Sequence, residues 1–439
     1  MQRLAQENPD RMVKMFNRSI KPDPGGKYYH WDKLRHLPPP DDLTTEEWWH
    51  LIKASRNVIA RIIPHTDKKG ENLTYCEPDI VRRMLHQIDI HGGGELKATE
   101  QVANPHSRDM YLINSLIEEA ITSSQLEGAA TTRKVAKAML RERRKPRDRS
   151  EKMIVNNYQA MQFIKDVAQE DLNPKLIYEL HKILTVGTLE NPAAVGQLRQ
   201  SNDIYVGDER DATVLHKPPS YEELPARMES LCEFANGTAG TEFIHPVVKA
   251  ILLHFILAYD HPFEDGNGRT ARALFYWSMM KQNYWTVEFI SISRILKKAS
   301  AKYMRAYLYT ETDDHDVTYF VVHQLEVIQK AIKDLFVYLR AKSEEMRITE
   351  QILSQSPKLQ KLLNYRQIAL LSRALKKPDS HYSVESHRGA HAVAYDTARA
   401  DLLKLEKLGL VVKSKVGNAF IFSPVANLQR KLEGLVPPP

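Results

Sequence analysis

The stretch His261-Pro262-Phe263-Glu264-Asp265-Gly266-Asn267-Gly268-Arg269-Thr270-Ala271-Arg272 sets a proton acceptor, two acids, a glycine-rich turn and two guanidiniums side by side. Upstream, Pro246 to Tyr259 carries Val247, Val248, Ile251, Leu252, Phe255, Ile256 and Tyr259 at helical spacing. Downstream, Thr270 to Gln282 reads as another helix. The Gly266-Asn267-Gly268 turn is therefore expected at a helix N-terminus. Free backbone N–H groups and the positive end of the dipole favour an anion there. Glycines let the backbone approach that anion closely and take φ > 0. Taken singly, each residue has an ordinary reading: a loop His before Pro, an Asp-Gly turn, a solvated Arg pair. A structural turn needs the glycines, but not a His, an acid, an Asn and two Arg in fixed register around them.

These residue types suit transfer at phosphorus. An imidazole titrating near neutrality can take a proton from a hydroxyl. A hard cation is held by a carboxylate together with substrate phosphates. Planar guanidiniums match phosphate oxygens. The segment resembles the motif of the Fic family, His-x-Phe-x-Asp/Glu-Gly-Asn-Gly-Arg-x-x-Arg, and agrees at all eight specified positions. The resemblance implies a protein adenylyltransferase that moves AMP from ATP to a Ser, Thr or Tyr hydroxyl of a target protein. By the same resemblance, His261 is the general base and Asp265 holds Mg²⁺. Gly266, Asn267 and Gly268 cradle the phosphates. Arg269 and Arg272 pair with the β- and γ-phosphates, and Phe263 anchors the loop.

Three further stretches resemble the same family. Ser123-Ser124-Gln125-Leu126-Glu127-Gly128 is similar to its inhibitory motif and closes an expected helix over 107–128, with Gly128 as the C-terminal stop. The resemblance implies that Ser123, Glu127 and Gly128 form an inhibitory element, Glu127 bridging to Arg272 and blocking the γ-phosphate seat. Gly196-Gln197-Leu198-Arg199 followed by Ile204-Tyr205-Val206-Gly207 resembles the flap hairpin that pairs with a target's backbone. Ile204, Tyr205 and Val206 have strand propensity, and Gly207-Asp208 signals a turn. Ala301-Lys302-Tyr303-Met304 resembles the adenosine-side segment, with Met304 where many members have a second Tyr and Glu311 at a commonly polar position.

The 439 residues imply two or three domains, and 42% hydrophobic with 27% charged residues is ordinary for a globular chain. The cysteines, Cys76 and Cys232, are too few for a disulfide framework. No apolar run of ~18 residues and no apolar stretch after Met1 suggest a membrane span or secretory signal, so a cytoplasmic location is expected. From Gln351 onward there are 14 Lys+Arg against 6 Asp+Glu, so this segment is +8 in a chain of net +7. The basic balance thus belongs to the C-terminal part and points to an acidic partner there. The run Arg141 to Arg149 is broken by acids and Pro and reads as a solvated linker.

The expected fold is mainly α: an N-terminal helical extension over 1–106, a helical core with a hairpin over 107–342, and a linker helix with a terminal domain over 343–439. Thr44-Thr45-Glu46-Glu47 signals a helix start, and Gly92-Gly93-Gly94 a loop. In the last part, helices over Tyr365–Leu375 and Ser383–Ala390 precede a longer one ending at Gly409. A break at Pro378-Asp379 separates the first two. Strands Leu410–Lys415 and Ala419–Phe422 follow, joined by a turn at Val416-Gly417-Asn418. That order looks like a winged helix. DNA, entered by the Tyr395–Lys407 helix, or a protein partner is its candidate ligand, and Asp396, Asp401 and Glu406 on that helix weigh against phosphate. A second copy of the chain is a candidate partner as well. A DNA-binding regulator whose core only senses nucleotide, or an enzyme that uses another nucleotide or removes AMP, are the alternative readings.

Overall fold

The structure is a computed structural model that describes residues 9–40, 42–92, 105–208, 213–238, 242–354, 361–376, 380–416, 419–428 and 431–432. It is mostly helical, with three small antiparallel sheets among the described residues. It divides into two compact units. One comprises the described residues of 1–95, 118–130 and 148–332, the other those of 96–117, 131–147 and 333–439.

The chain opens with α1 (Pro9–Phe16), α2 (Trp31–Leu34) and α3 (Thr45–Val58). The expected start of α3 is a capping box: the Thr44 hydroxyl accepts from the Glu47 backbone N–H, and the Glu47 carboxylate accepts from that of Thr44. Trp48, Leu51 and Ile52 on its inner face join Met15, Leu34 and Leu43 in a small core. A hairpin then follows, β1 (Ala60–Thr66) paired with β2 (Asn72–Cys76), where helix alone was expected. α4 (Asp79–Gly92) follows it; the rest of the glycine run, 93–94, lies outside the described residues.

α5 (Pro105–Leu126) carries the inhibitory-type motif in its last turn, and Gly128 just beyond has φ 89°, the left-handed stop that glycine takes without penalty. Next come α6 (Arg133–Glu142), α7 (Arg149–Asp166) and α8 (Pro174–Thr185). Asp148 and Asn173 cap α7 and α8 by accepting backbone N–H bonds from Glu151 and Leu176. The second hairpin is β3 (Val206–Asp208) against β4 (Thr213–His216). Ile204 and Tyr205 precede β3, and Gly207-Asp208 lies inside the strand rather than in a turn. The connecting residues 209–212 are outside the described set.

α9 (Leu224–Asn236) leads to α10 (Pro246–Asp260), whose residues are buried around the whole circumference, including Ile251, Leu252, Leu253, Phe255, Ile256 and Leu257. α10 is thus the centre of this unit. α11 (Asn267–Lys281) packs along it and starts three residues earlier than expected, so Asn267, Gly268 and Arg269 form its first turn. α12 (Ile292–Lys298) and α13 (Ser300–Thr312) follow. α14 (Thr318–Ser354) then runs as one 37-residue helix across the position where a linker helix was expected to begin.

The remaining elements are α15 (Tyr365–Lys376), β5 (Tyr382–Ser383), α16 (Val384–His391), α17 (Tyr395–Lys407), β6 (Val411–Val416) and β7 (Ala419–Pro424). The helices fall where expected; 378–379 and 417–418 are outside the described residues. β5 was not expected: it pairs with β7 and makes a three-stranded sheet in the order β5-β7-β6. Leu370, Leu371, Ala398, Leu402, Leu405, Val411 and Phe422 form the core beneath it. Asp401 is buried there, gripped by Arg366 Nε at 2.6 Å and Asn364 Nδ2 at 2.6 Å.

Candidate active site

The site forms where α10 ends and α11 begins. His261 stands one residue past α10 in the left-handed region (φ 47°), which turns the chain sharply away from the helix axis. Arg199 holds that turn from outside. Its Nε donates to His261 O at 2.9 Å, and its backbone N–H donates to Pro262 O at 2.9 Å. The turn is held from within by Asn267. The Asn267 Oδ1 accepts from Phe263 N at 2.9 Å and Nδ2 donates to Phe263 O at 2.8 Å. So the Asn267 side chain is spent on the loop, and only its backbone faces the anion position.

Phe263 is fully buried and lies flat on the His181 ring, centroids 3.8 Å apart. His181 Nδ1 accepts from the Gly196 N–H at 3.0 Å, which leaves Nε2–H to donate to Asp265 O at 2.9 Å. One neutral imidazole thus ties α8, the approach to the flap and the glycine loop together. Gly266 follows with φ 85°, and a Cβ there would stand 2.7 Å from Thr185 Cγ2. Gly266→Ala should therefore destabilise the chain by roughly 2–4 kcal/mol, adding a left-handed backbone penalty to a packing clash. A thermal melt checks this, and an unchanged midpoint would contradict it.

The His261 imidazole is pushed down to about 4, mainly by burial, with the nearby Arg199 guanidinium acting in the same direction. Nδ1 faces Ala258 O at 3.3 Å, so Nδ1 carries the hydrogen and Nε2 is the bare nitrogen. The ring is then neutral at ordinary pH, with Nε2 unprotonated. Burial likewise lowers His181 and His323 to about 4, from 6.5. Between pH 6.5 and 4 the unfolded chain binds protons that the folded one refuses. Stability is thus complete above about pH 6.5 and is lost as pH falls towards 4. The melting midpoint should drop over that window, and a midpoint that rises on acidification would contradict the assignment.

The two motif arginines are both buried. Arg269 Nη1 donates to Leu184 O at 3.1 Å, its Nη2 lies 3.4 Å from Asp265 Oδ2, and its Nε is buried without a partner. Asp265 is half exposed, and its Oδ1 accepts from Gly266 N. Such a carboxylate, open on one side beside an anion position, fits a Mg²⁺ that takes most of its ligands from phosphates and water. Among the described residues the three-membered His/acid group close enough to share an ion is Asp67, Glu71 and His315, which does not include Asp265.

Arg272 is occupied by α5. Its Nη2 donates to Glu127 Oε1 at 2.8 Å and to Ser123 O at 3.1 Å, and its Nε donates to Ser123 Oγ at 3.0 Å. The Glu127 carboxylate lies over the Gly268 α-carbon, in the space a Cβ would fill. It therefore sits at the N-terminus of α11, where an anion is favoured. Buried Glu119 fixes the height of α5, accepting from Tyr276 Oη at 2.9 Å, Ser291 Oγ at 2.8 Å and Ser293 N at 3.1 Å.

The flap and adenosine-side residues are placed differently. Tyr205 is 61% exposed and Val206 pairs with His216. The flap is moored to the core by His216, whose Nε2 donates to Tyr259 O at 2.7 Å and whose Nδ1 lies 2.6 Å from Glu311. Tyr303 is nearly buried, its hydroxyl engaged with His254 Nε2 at 2.8 Å and Tyr307 Oη at 3.2 Å, so it serves as packing behind the site in this structure.

Residues 171–279 match the Fic/DOC family model. A protein adenylyltransferase Fic from Drosophila sechellia is 35% identical over 118 residues, covering 27% of this chain and 22% of that protein. One from Nematostella vectensis is 35% identical over 94 residues, 21% of this chain and 20% of that protein. The chain thus spans about a fifth of the length of the curated relatives it matches. A crystal structure of a Fic family protein from Desulfovibrio desulfuricans G20 superposes with a TM-score of 0.49 at 16% identity, over 79% of this chain and 94% of that one. The region that holds the glycine loop is a Fic domain.

Proposed function

We propose that the Fic domain transfers AMP from ATP to a Ser, Thr or Tyr hydroxyl of a target protein and that Glu127 restrains the transfer. The contact between Arg272 and Glu127, 145 positions apart and 2.8 Å long, is the observation that carries this reading. His261 Nε2 accepts the hydroxyl proton as the oxygen bonds to the α-phosphorus, and pyrophosphate leaves with the electrons of the broken P–O bond. Asp265 would hold Mg²⁺, which supplies charge neutralisation on the phosphates. The backbone N–H groups of Gly268 and Arg269 and the orphaned Arg269 Nε are the donors that suit the polyphosphate. With Glu127 on Arg272, the γ-phosphate loses its guanidinium and ATP seats poorly. Incubation with Mg²⁺ and α-labelled ATP tests this: label on protein supports transfer. Its absence even from Glu127→Gly would leave nucleotide sensing or another donor as the better account.

We further propose that α15, α16, α17 and the β5-β7-β6 sheet form a winged helix that docks an acidic partner, with DNA as the first candidate. Burial of Asp401 against Arg366 favours it, because the exposed side of α17 then carries Arg399, Lys404 and Lys407 with Asp396 as the exposed acid. Deletion from Lys358 onward should abolish a gel shift of duplex DNA without changing self-labelling. Binding by the full chain should weaken steeply with salt as counterions are retained on the phosphates. Equal shifts by full-length and truncated protein would reject DNA and leave protein docking. No described helix is long and apolar enough to cross a membrane; a cytoplasmic site of action is part of the proposal.

A further inference from the structure

The Asp265 carboxylate meets two guanidiniums, and only one comes from the glycine loop. Arg269 Nη2 is 3.4 Å and Arg149 Nη2 3.6 Å from the same Oδ2. Both separations exceed the ~2.7–2.9 Å of a tight charge-assisted bond, so neither guanidinium is committed to the carboxylate. Arg149 opens α7 and ends the basic run that the sequence presents as solvated linker. Its Nε donates to Thr188 O at 2.6 Å, which fixes the plane of the group and aims the terminal nitrogens at the site. Arg269 is buried and half spent on Leu184 O, whereas the Arg149 side chain is 58% exposed and open to a ligand arriving from solvent. Arg149, Arg269 and Arg272 thus surround the N-terminus of α11 with Asp265 and Glu127 as the facing carboxylates. When Glu127 leaves Arg272, cationic charge is in excess there.

We propose that Arg149 is a third polyphosphate-binding guanidinium, supplied by α7 on the Asp265 side of the site. This rests on the nucleotide reading above. Arg149 keeps its bond to Thr188 and turns its free nitrogens from the carboxylate to the phosphates, the planar fork being suited to either. The group would discriminate nucleotides by phosphate number and leave the base and ribose unread.

The test uses the full chain with Glu127→Gly as parent, and adds Arg149→Ala or Arg149→Lys. Calorimetry measures binding of ATP and of AMP in the presence of Mg²⁺, and a thermal melt is run without nucleotide. Arg149→Ala should lower the ratio of ATP to AMP affinity roughly tenfold, at an unchanged melting midpoint. Arg149→Lys should restore part of that ratio. An unchanged ratio with Ala overturns the proposal, as does an equal loss for both nucleotides with a lowered midpoint, which marks a structural role. A parent that binds ATP while Ala has no effect removes this inference alone. A parent that binds no ATP removes the nucleotide reading with it.

Discussion

Glu127→Gly should raise self-labelling from α-labelled ATP by roughly 5- to 150-fold, the range spanned by single coupling contacts between sites. The change deletes the carboxylate that holds Arg272 Nη2 at 2.8 Å and that lies over the Gly268 α-carbon. Both effects act in one direction. Arg272 regains one free N–H on Nη2, whose other bond to Ser123 O is kept, and the N-terminus of α11 regains its open anion position. Ser123 Oγ and O remain on the guanidinium, so its direction is kept when Glu127 goes. The fold should survive, because the Glu127 side chain is 24% exposed and α5 stays anchored through Glu119. Initial rates at several ATP concentrations check this. A gain concentrated in apparent ATP affinity and turnover together fits the occupied-seat account.

His261→Ala, made in the Glu127→Gly chain, should lower transfer by ~10²–10⁴-fold, the usual cost of losing a general base. ATP binding should change little, because Nε2 is the atom offered to the hydroxyl and Nδ1 is used on Ala258 O. The same geometry sets the pH response. The ring, lowered to about 4 by burial, stays deprotonated through neutrality, so the rate should hold on mild acidification and fall only as His261 charges below about pH 5. Unchanged transfer by the Ala variant would remove His261 from the chemistry.

Much of this site was readable from the chain because its parts are local. The glycine loop and the flanking apolar spacing place His261, Asp265, Arg269 and the N-terminus of α11 within a dozen positions, and the helix boundary errs by only one turn. The capping box at Thr44 and the stop at Gly128 are local for the same reason. The meeting of Glu127 with Arg272 is different: no spacing rule brings residues 145 positions apart together, and only the family resemblance suggested it. His181, alone on a helix with apolar neighbours, gives no sequence signal that both its nitrogens are spent on two loops. Asn267 reads as a cradle residue, yet its side chain closes on Phe263, since a buried amide with nearby backbone partners is satisfied there first. Arg149 hides at the end of a charge run, where the ordinary reading of such runs is solvent. β5 is two residues long and exists through its pairing with β7, so strand propensity alone could not mark it.

The most direct test of the central claim measures self-labelling of the wild type, Glu127→Gly, Arg272→Ala and the double variant side by side in Mg²⁺ and ATP. A rise is expected for Glu127→Gly alone. Arg272→Ala should stay low, since the γ-phosphate loses its partner. The double variant should match Arg272→Ala, because both changes act through one contact and cannot add. A Glu127→Gly protein no more active than wild type, or a double variant as active as Glu127→Gly, would contradict it.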